Sequence, residues 1–228
     1  MRYDFREKAV EGGLAALALL SLAVLAGIVF YLFREGLPVF ASTGFLDFVF
    51  GTDWYPVGDQ PDFEIGSLIA GSLAVTFLAS LFAVPLGLMT AAYLSEVAAN
   101  TTRRIIKPFI ELLAALPSVV IGFIGMVLVA PWLQNTLGIA TGLNLFNAAL
   151  MLAFMAVPTI CSIAEDALHA VPRSLKDASL ALGATPWETL KNVTFPYALS
   201  GVGTAVMLGM SRALGETMVV LMVAGGAA

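Results

Sequence analysis

Long uncharged, apolar runs separate the charged residues of this chain. They cover residues 12–33, 65–95 and 112–164, and a last run extends from Pro196 to the final residue with two charged side chains inside it. About 20 apolar residues in a helix are needed to cross the hydrocarbon core of a bilayer. The pattern therefore predicts membrane-spanning helices.

The 112–164 run is too long for one crossing, and polar residues interrupt it between Gln134 and Asn147. We therefore divide it into two helices joined by a short turn. Predicted crossings lie at about residues 12–33, 65–97, 112–133, 146–164 and 196–224. Pro85 and Pro158 fall inside two of these helices, which suggests a bundle whose neighbouring helices satisfy the freed carbonyl groups. Residues 1–64 hold the first helix and an acidic loop, and residues 65–228 form the core.

Composition agrees with this pattern, because 59% of the residues are hydrophobic and only 12% are charged. A soluble domain is about a quarter charged, so we expect an all-α integral membrane protein. One cysteine and one histidine exclude an internal disulfide and a Cys/His metal cluster. An intramembrane enzyme would need a His-Glu-x-x-His motif, a Gly-x-Ser-x-Gly motif or paired intramembrane aspartates, and the sequence contains none of them.

The basic residues predict the orientation of the helices, because lysine and arginine in short loops remain on the cytoplasmic side. They cluster before helix one, after helix two and after helix four: Arg2, Arg6, Lys8; Arg103, Arg104, Lys107; Arg173, Lys176, Lys191. The segment between helices one and two is acidic instead: Glu35, Asp47, Asp53, Asp59, Asp62, Glu64. We expect the N-terminus in the cytoplasm, the acidic loop outside, and Ala228 outside.

Residues 171–195 are patterned as two short helices. Pro172 suits a helix start and Gly183 a helix end, and Thr185-Pro186-Trp187-Glu188 has the form of a capping box that begins a second helix. Trp187, Leu190 and Val193 would form an apolar edge on this helix. So short a helix needs a surface to bind; the spacing alone leaves lipid headgroups and a protein partner equally open.

Arg212 and Glu216 lie inside the last apolar run. Ionisable groups in the membrane are costly and by default face a bundle interior or a water-filled path. At i and i+4 the two could form a neutralising pair that only holds helices together. Alternatively, Arg212 is a binding station for an anion, with Glu216 holding the guanidinium between substrates. Ser118 and Thr217 are candidate hydroxyl donors on the same path.

Small residues recur every four positions along the same helix: Gly201, Ala205, Gly209, Ala213. Such a stripe lets a second helix approach closely. We therefore predict that this helix has both a packing face and a polar face.

The segment Asp177-Ala178-Ser179, Leu182-Gly183-Ala184 and Phe195-Pro196 resembles the "EAA" signature of bacterial ABC importer permeases. The chain departs from it at Asp177, Ser179 and Phe195, while the spacing of Gly and Pro is kept. The resemblance implies that residues 171–195, called the coupling segment below, dock on an ATPase subunit. The residues it assigns to this contact are Asp177, Ala178, Gly183, Ala184, Thr185, Trp187 and Glu188.

Further motifs resemble one branch of these proteins, the phosphate-specific importer permeases PstC and PstA. Arg-Ala-Leu-Gly-Glu-Thr at residues 212–217 and the segment at residues 111–123 are similar to both. Trp54-Tyr55-Pro56, Pro85-Leu86-Gly87 and Tyr93-Leu94-Ser95-Glu96 are similar to PstC in particular.

This resemblance implies a type I, MetI-like permease bundle in the cytoplasmic membrane, with five of the family's six helices present and the last one missing. It also implies a non-catalytic subunit that moves inorganic phosphate. Its expected partners are a PstA-like second permease, an ATPase dimer that binds ATP and Mg, and an external phosphate-binding protein; no cofactor and no nucleic acid is expected on this chain. Transport of molybdate or sulfate, and a channel or carrier outside the ABC class, are the alternatives.

Overall fold

The computed structural model describes residues 2–56 and 61–225. Asp59 of the predicted acidic loop and Ala228 therefore lie outside the described residues. Two compact units are present, Met1–Ala70 and Gly71–Ala228. Within the described residues, helices long and apolar enough to cross a membrane number four, or five if one bent pair counts as a single span: Val10–Gly36, Gly66–Val97, Ser118–Leu137, Leu145–His169, and Pro186–Tyr197 with Leu199–Leu214. The all-α membrane fold is thus confirmed.

The first unit consists of a long helix followed by short elements: α1 Arg2–Gly36, α2 Val39–Ser42, α3 Phe45–Phe50, β1 Trp54–Tyr55 and β2 Asp62–Phe63. The two strands pair antiparallel, with Trp54 opposite Phe63. Glu64 closes this hairpin because its carboxylate accepts a hydrogen bond from the Asp53 N–H at 2.8 Å. The helix predicted at residues 12–33 begins earlier, since no proline precedes it and its charged residues are compatible with a helix continuing into water.

The second unit contains the remaining helices. Its first part comprises α4 Gly66–Ala92, most of which belongs to this unit, then α5 Asn100–Ala114, α6 Ser118–Ile124, α7 Ala130–Leu137 and α8 Leu145–His169. The coupling segment and the last helices follow as α9 Arg173–Ala181, α10 Pro186–Thr189, α11 Phe195–Tyr197, α12 Leu199–Leu214 and α13 Met218–Val223. Wider π-helical turns extend α4 over Tyr93–Val97, join α6 to α7 over Gly125–Val129, and follow α10 over Leu190–Thr194.

The predicted third helix at residues 112–133 is wrong as a continuous element. An amphipathic helix, α5, begins at Asn100 and ends at Ala114, and the chain resumes helical structure at Ser118. Leu116 precedes a proline, and such a residue avoids helical backbone angles; Pro117 itself has an extended ψ of 133°. The predicted start after Glu111 came from taking that charged residue as the end of a loop, whereas Glu111 lies inside α5.

The predicted fifth helix at residues 196–224 is also wrong as a single helix. It begins as α12 at Leu199, after a bend of 75° from the preceding segment Pro186–Tyr197. It then stops at Leu214, and Gly215, Glu216 and Thr217 separate it from α13. Glycine weakens a helix interior by about 1 kcal/mol relative to alanine, which favours an interruption at this place.

Helix α8 is the centre of the second unit, and much of its length is buried. The small residues Gly201, Ala205, Gly209 and Ala213 of α12 lie along it. A Cβ added to Gly201 would come within 2.6 Å of the Ala167 Cβ, and Ala205 is fully buried. From the other side, a Cβ on Gly87 of α4 would come within 2.8 Å of Ile160. Close approach of α12 and α4 to α8 therefore depends on residues without bulk.

Two asparagines fix the N-terminal end of α8. The Asn144 side chain accepts a hydrogen bond from the Asn147 N–H at 3.0 Å and caps the helix. The buried Asn147 amide donates to the carbonyl oxygens of Gly125 and Gly142, at 3.1 and 3.0 Å. One side chain thus joins α8 to the π-helical turn after α6 and to the loop before α8.

Candidate functional site

Arg212 lies in the last turn of α12 and is half-buried. Its Nη2 donates to the Ala114 carbonyl oxygen at 2.8 Å, and its Nη1 lies 3.5 Å from Thr159 Oγ1. Ala114 is the last residue of α5, where carbonyl groups lack the next helical turn as a partner. The guanidinium therefore connects the end of α5 to α8 and α12 through neutral oxygen atoms.

Glu216 does not pair with Arg212, so the intrahelical ion pair considered from the i, i+4 spacing is absent. Both residues lie within the described chain, and no ion pair of 4 Å or less joins them there. The α-helix ends at Leu214, so the spacing no longer places the two side chains on one helical face. The Glu216 carboxylate instead accepts a hydrogen bond at 3.3 Å from the Val219 N–H in the first turn of α13.

The interruptions at residues 115–117 and 215–217 belong to helices that pack against each other. A Cβ on Gly122 of α6 would lie 3.4 Å from the Val219 Cα of α13 and 2.8 Å from the Met222 sulfur. In a bilayer, non-helical backbone is tolerated where it is buried in protein or lines a cavity. Transport proteins place substrate sites at such discontinuous helices. Arg212 lies beside both interruptions.

The two predicted hydroxyl donors also lie at the interruptions. Ser118 is the first residue of α6 and is half-buried, and Thr217 precedes α13 and is exposed. Within the described residues, no hydrogen bond links either hydroxyl to Arg212. Thr159 is the polar residue that the sequence analysis missed. Its signal was a hydroxyl directly after Pro158, in the middle of an apolar helix.

The coupling segment has the predicted capping box. The Thr185 hydroxyl accepts a hydrogen bond from the Glu188 N–H at 3.3 Å, and the Glu188 carboxylate accepts one from the Thr185 N–H at 2.8 Å. Gly183 ends α9 with a positive φ of 89°. A hydrogen bond of 2.9 Å between the hydroxyls of Ser179 and Thr189 joins α9 to α10.

The surface of the coupling segment is rich in uncovered apolar groups. Trp187 is 68% exposed and Leu182 is 90% exposed, and Asp177 and Ala178 also face solvent. The predicted apolar edge is only partly formed, because the second helix is a short α-helical turn followed by a π-helical turn. Leu190 and Val193 are half-buried there, which leaves Trp187 as the prominent exposed residue.

Four ionisable side chains connect α5 to α8 near the start of the coupling segment, and the sequence analysis did not group them. Glu165 is buried and forms ion pairs with Arg103 and with Lys107, the latter at 2.7 Å. Lys107 also pairs with Asp166 at 2.5 Å. Burial lowers the pKa of Lys107, but hydrogen bonds and attraction from Asp166 and Glu165 outweigh this effect, so its pKa is raised. Lys107 therefore stays charged. We call these four residues the α5–α8 charge cluster.

Apolar spans, discontinuous helices beside an arginine, and an exposed two-helix segment define a multi-pass membrane transport protein. The chain belongs to the family of binding-protein-dependent transport system inner membrane components, whose family model matches residues 83–228. Members are permease subunits of ABC importers, membrane channels rather than catalysts. Membership implies an ATPase partner and a substrate-binding protein.

Curated relatives resemble the chain over most of its length. It is 40% identical over 212 residues to the "Probable ABC transporter permease protein YqgH" of Bacillus subtilis, with 92% of this chain and 69% of that protein covered. It is 35% identical to the "Phosphate transport system permease protein PstC" of Mesorhizobium japonicum, covering 93% and 70% of the two chains. The PstC protein of Pasteurella multocida is 36% identical, with coverage of 92% and 69%.

A solved structure shares the MetI-like fold. One chain of the MetNI methionine ABC transporter, in an inward-facing conformation, superposes with a TM-score of 0.57 at 25% sequence identity. The match covers 66% of this chain and 72% of that chain. The predicted resemblance to type I ABC importer permeases is thereby confirmed.

Proposed function

We propose that this chain is the PstC-type permease subunit of an ATP-driven importer of inorganic phosphate. The similarity to PstC proteins of several bacteria supports the choice of phosphate. The observation that carries the site assignment is the Arg212 guanidinium, which lies beside two helix interruptions and, among the described residues, bonds to neutral oxygen atoms only.

Arg212 would bind the anion as it passes the interruptions. Its donors are engaged by the Ala114 carbonyl and, more weakly, by the Thr159 hydroxyl at 3.5 Å. Hydrogen bonds to a charged oxygen are about twice as strong as bonds to neutral ones, so a phosphate oxygen would displace the carbonyl from the guanidinium. Ser118, Thr217 and Glu216 would lie along the same path, at the ends of the interrupted helices.

The proposed complex contains a PstA-like second permease, an ATPase dimer that binds ATP and Mg, and an external phosphate-binding protein. The coupling segment would dock on the ATPase in the cytoplasm through the exposed Trp187 and the neighbouring residues Asp177, Ala178, Gly183, Ala184, Thr185 and Glu188. The basic residues after helices two and four support this orientation, with the N-terminus also inside. This chain would bind no cofactor of its own.

The test is ATP-dependent uptake of radiolabelled phosphate by the complex in proteoliposomes. Arg212→Gln should lower uptake about tenfold or more, because bonds to a charged group contribute about 1.5–3 kcal/mol. Arg212→Lys should retain part of the activity, since the charge stays while the planar fork is lost. Arg104→Gln, an exposed arginine on α5, is the matched control and should leave uptake unchanged. Full activity in Arg212→Gln would refute the site assignment.

The same preparation tests the alternatives. If molybdate or sulfate, supplied with a matching binding protein, suppressed the uptake of labelled phosphate, another oxyanion would be favoured as the substrate. Uptake that continues without ATP would favour a channel or carrier and contradict the proposal.

A further inference from the structure

The Tyr93-Leu94-Ser95-Glu96 motif lies at the end of α4, where the helix continues as the π-helical turn Tyr93–Val97. The Ala98 N–H donates to the Tyr93 carbonyl oxygen at 2.8 Å and closes this wider turn. A π-helical turn contains one more residue than an α-helical turn, so it shifts the following side chains by about 100° around the axis. Glu96 lies within this turn, and its carboxylate contacts the coupling segment.

Glu96 forms an ion pair with Lys176 of α9. The Lys176 Nζ donates to Glu96 Oε1 at 2.6 Å, and the Ser95 hydroxyl donates to the same oxygen at 3.0 Å. Only 16% of the Lys176 side chain and 19% of the Glu96 side chain is exposed. Exposed pairs contribute little because water and salt screen them. Partial burial reduces this screening, and removing one partner leaves the other charge uncompensated.

Helix α9 has few other attachments to the bundle. None of its residues is buried, and the Ser179–Thr189 hydrogen bond joins it only to α10, which is also part of the coupling segment. Lys176 additionally donates to the Leu168 carbonyl oxygen in the last turn of α8, at 3.4 Å. In the described part of the chain, Lys176 is the α9 side chain that forms an ion pair with a bundle helix.

We propose that the Glu96–Lys176 pair transmits movement of the coupling segment to α4, and that both are positioning residues for energy coupling. The inference rests on the proposed docking of residues 171–195 on the ATPase. Because no α9 residue is fully buried against the bundle, a displacement of the segment without this pair would move α9 past α4. With the pair, α4 moves together with α9. Neither residue touches the substrate.

The first experiment uses the complete transporter in proteoliposomes and measures substrate moved per ATP hydrolysed. Glu96→Gln keeps the size of the side chain and removes its charge. We expect the ATPase to co-purify and hydrolyse ATP, because the exposed docking surface is unchanged. The transport-to-hydrolysis ratio should fall about fivefold, which corresponds to a loss of about 1 kcal/mol in a two-state equilibrium. Glu111→Gln, an exposed carboxylate of α5, is the matched control and should keep the wild-type ratio.

The second experiment asks whether the two residues act as a pair. Lys176→Gln should reproduce the defect, whereas Lys176→Arg should retain most of the transport-to-hydrolysis ratio because it keeps the charge. The double variant Glu96→Gln/Lys176→Gln should be no worse than either single variant. An unchanged ratio in Glu96→Gln, or additive defects in the double variant, would overturn the proposal. So would a defect confined to the amount of assembled complex, with a normal ratio in the complexes that form.

A third measurement separates this inference from the choice of substrate. Backbone amides of α9 should exchange hydrogen faster in Glu96→Gln than in the wild type, whatever anion the complex transports, since α9 is held less firmly. Unchanged hydrogen exchange in α9 would contradict the proposal that the Glu96–Lys176 pair holds α9 to α4. A wild-type complex that hydrolyses ATP without moving phosphate would contradict the proposed substrate. The hydrogen-exchange measurement would still test the Glu96–Lys176 inference, because it does not depend on the anion.

Discussion

Two regions of the second unit remove positive charge from water in different ways. In the α5–α8 charge cluster, Arg103 and Lys107 face the buried carboxylate of Glu165. At the other end of α5, Arg212 bonds to a backbone carbonyl and approaches a hydroxyl, both neutral. A cation that is already neutralised gains little from a passing anion, whereas one with neutral partners gains a charged partner. The comparison favours Arg212 over the cluster as the place where an anion binds.

The largest effect should come from Glu165→Gln. Removing the buried carboxylate leaves two cations close together without a shared counter-charge, and breaking a buried pair in this way costs about 3–5 kcal/mol. We expect a clear fall in the thermal unfolding temperature of the purified complex, or loss of folded protein. A variant as stable as the wild type would show that the cluster does not hold α5 to α8.

Arg212→Gln should destabilise the protein less than Glu165→Gln. It removes a donor from the Ala114 carbonyl at the end of α5, and losing such a bond costs about 1–3 kcal/mol. Thermal unfolding measured beside Glu165→Gln, in the same detergent, gives the ranking. If Arg212→Gln were the less stable of the two, Arg212 would be chiefly a structural tie and the contrast between the regions would fail.

Thr159→Val tests the weaker contact of Arg212 and keeps the shape of the side chain. At 3.5 Å the Thr159 hydroxyl is at the limit of a hydrogen bond with Arg212, so stability should change by about 0.5–1 kcal/mol. Phosphate uptake at limiting phosphate should fall by a small factor if the hydroxyl helps to orient the guanidinium. Thr90→Val, at a half-buried threonine of α4 that bonds to its own helix, is the control. Equal behaviour of both variants would remove Thr159 from the site.

The smallest effect is expected for Asp166→Asn. Asp166 pairs with Lys107 at 2.5 Å but its side chain is 63% exposed, and exposed pairs contribute about 0–1 kcal/mol. Its unfolding temperature should lie close to that of the wild type. Because Asp166 and Glu165 share Lys107, a shift as large as that of Glu165→Gln would show that burial does not distinguish the two carboxylates.

Local signals in the sequence accounted for much of the architecture. Uncharged length predicted the apolar spans, and α8, expected at residues 146–164, occupies Leu145–His169. The capping box at Thr185 and Glu188 was also foreseen, because capping joins residues three positions apart and needs no tertiary contact.

Features that depend on packing were not predictable in this way. The Arg212–Glu216 pair is missing because the helix is interrupted after Leu214. Arg212 bonds instead to the Ala114 carbonyl at the end of α5, which is distant in sequence. The contact between Thr159 and Arg212 depends on how α8 packs against α12, which the sequence pattern does not show. The α5 helix was missed because Arg103, Arg104 and Lys107 were taken only as the basic residues of a cytoplasmic loop. The partners of Arg103 and Lys107, which bind α5 to α8, lie about 60 residues further along the chain.

The π-helical turns have a consequence for comparing this chain with its relatives. Each of the turns Tyr93–Val97, Gly125–Val129 and Leu190–Thr194 accommodates one residue more than an ordinary helix would. Relatives that lost such a residue would differ by single-position gaps at these places while retaining helices on both sides. One-residue deletions in the protein should accordingly be accepted there more readily than elsewhere in α4, α6 or α10, but at Tyr93–Val97 a deletion would turn Glu96 away from Lys176.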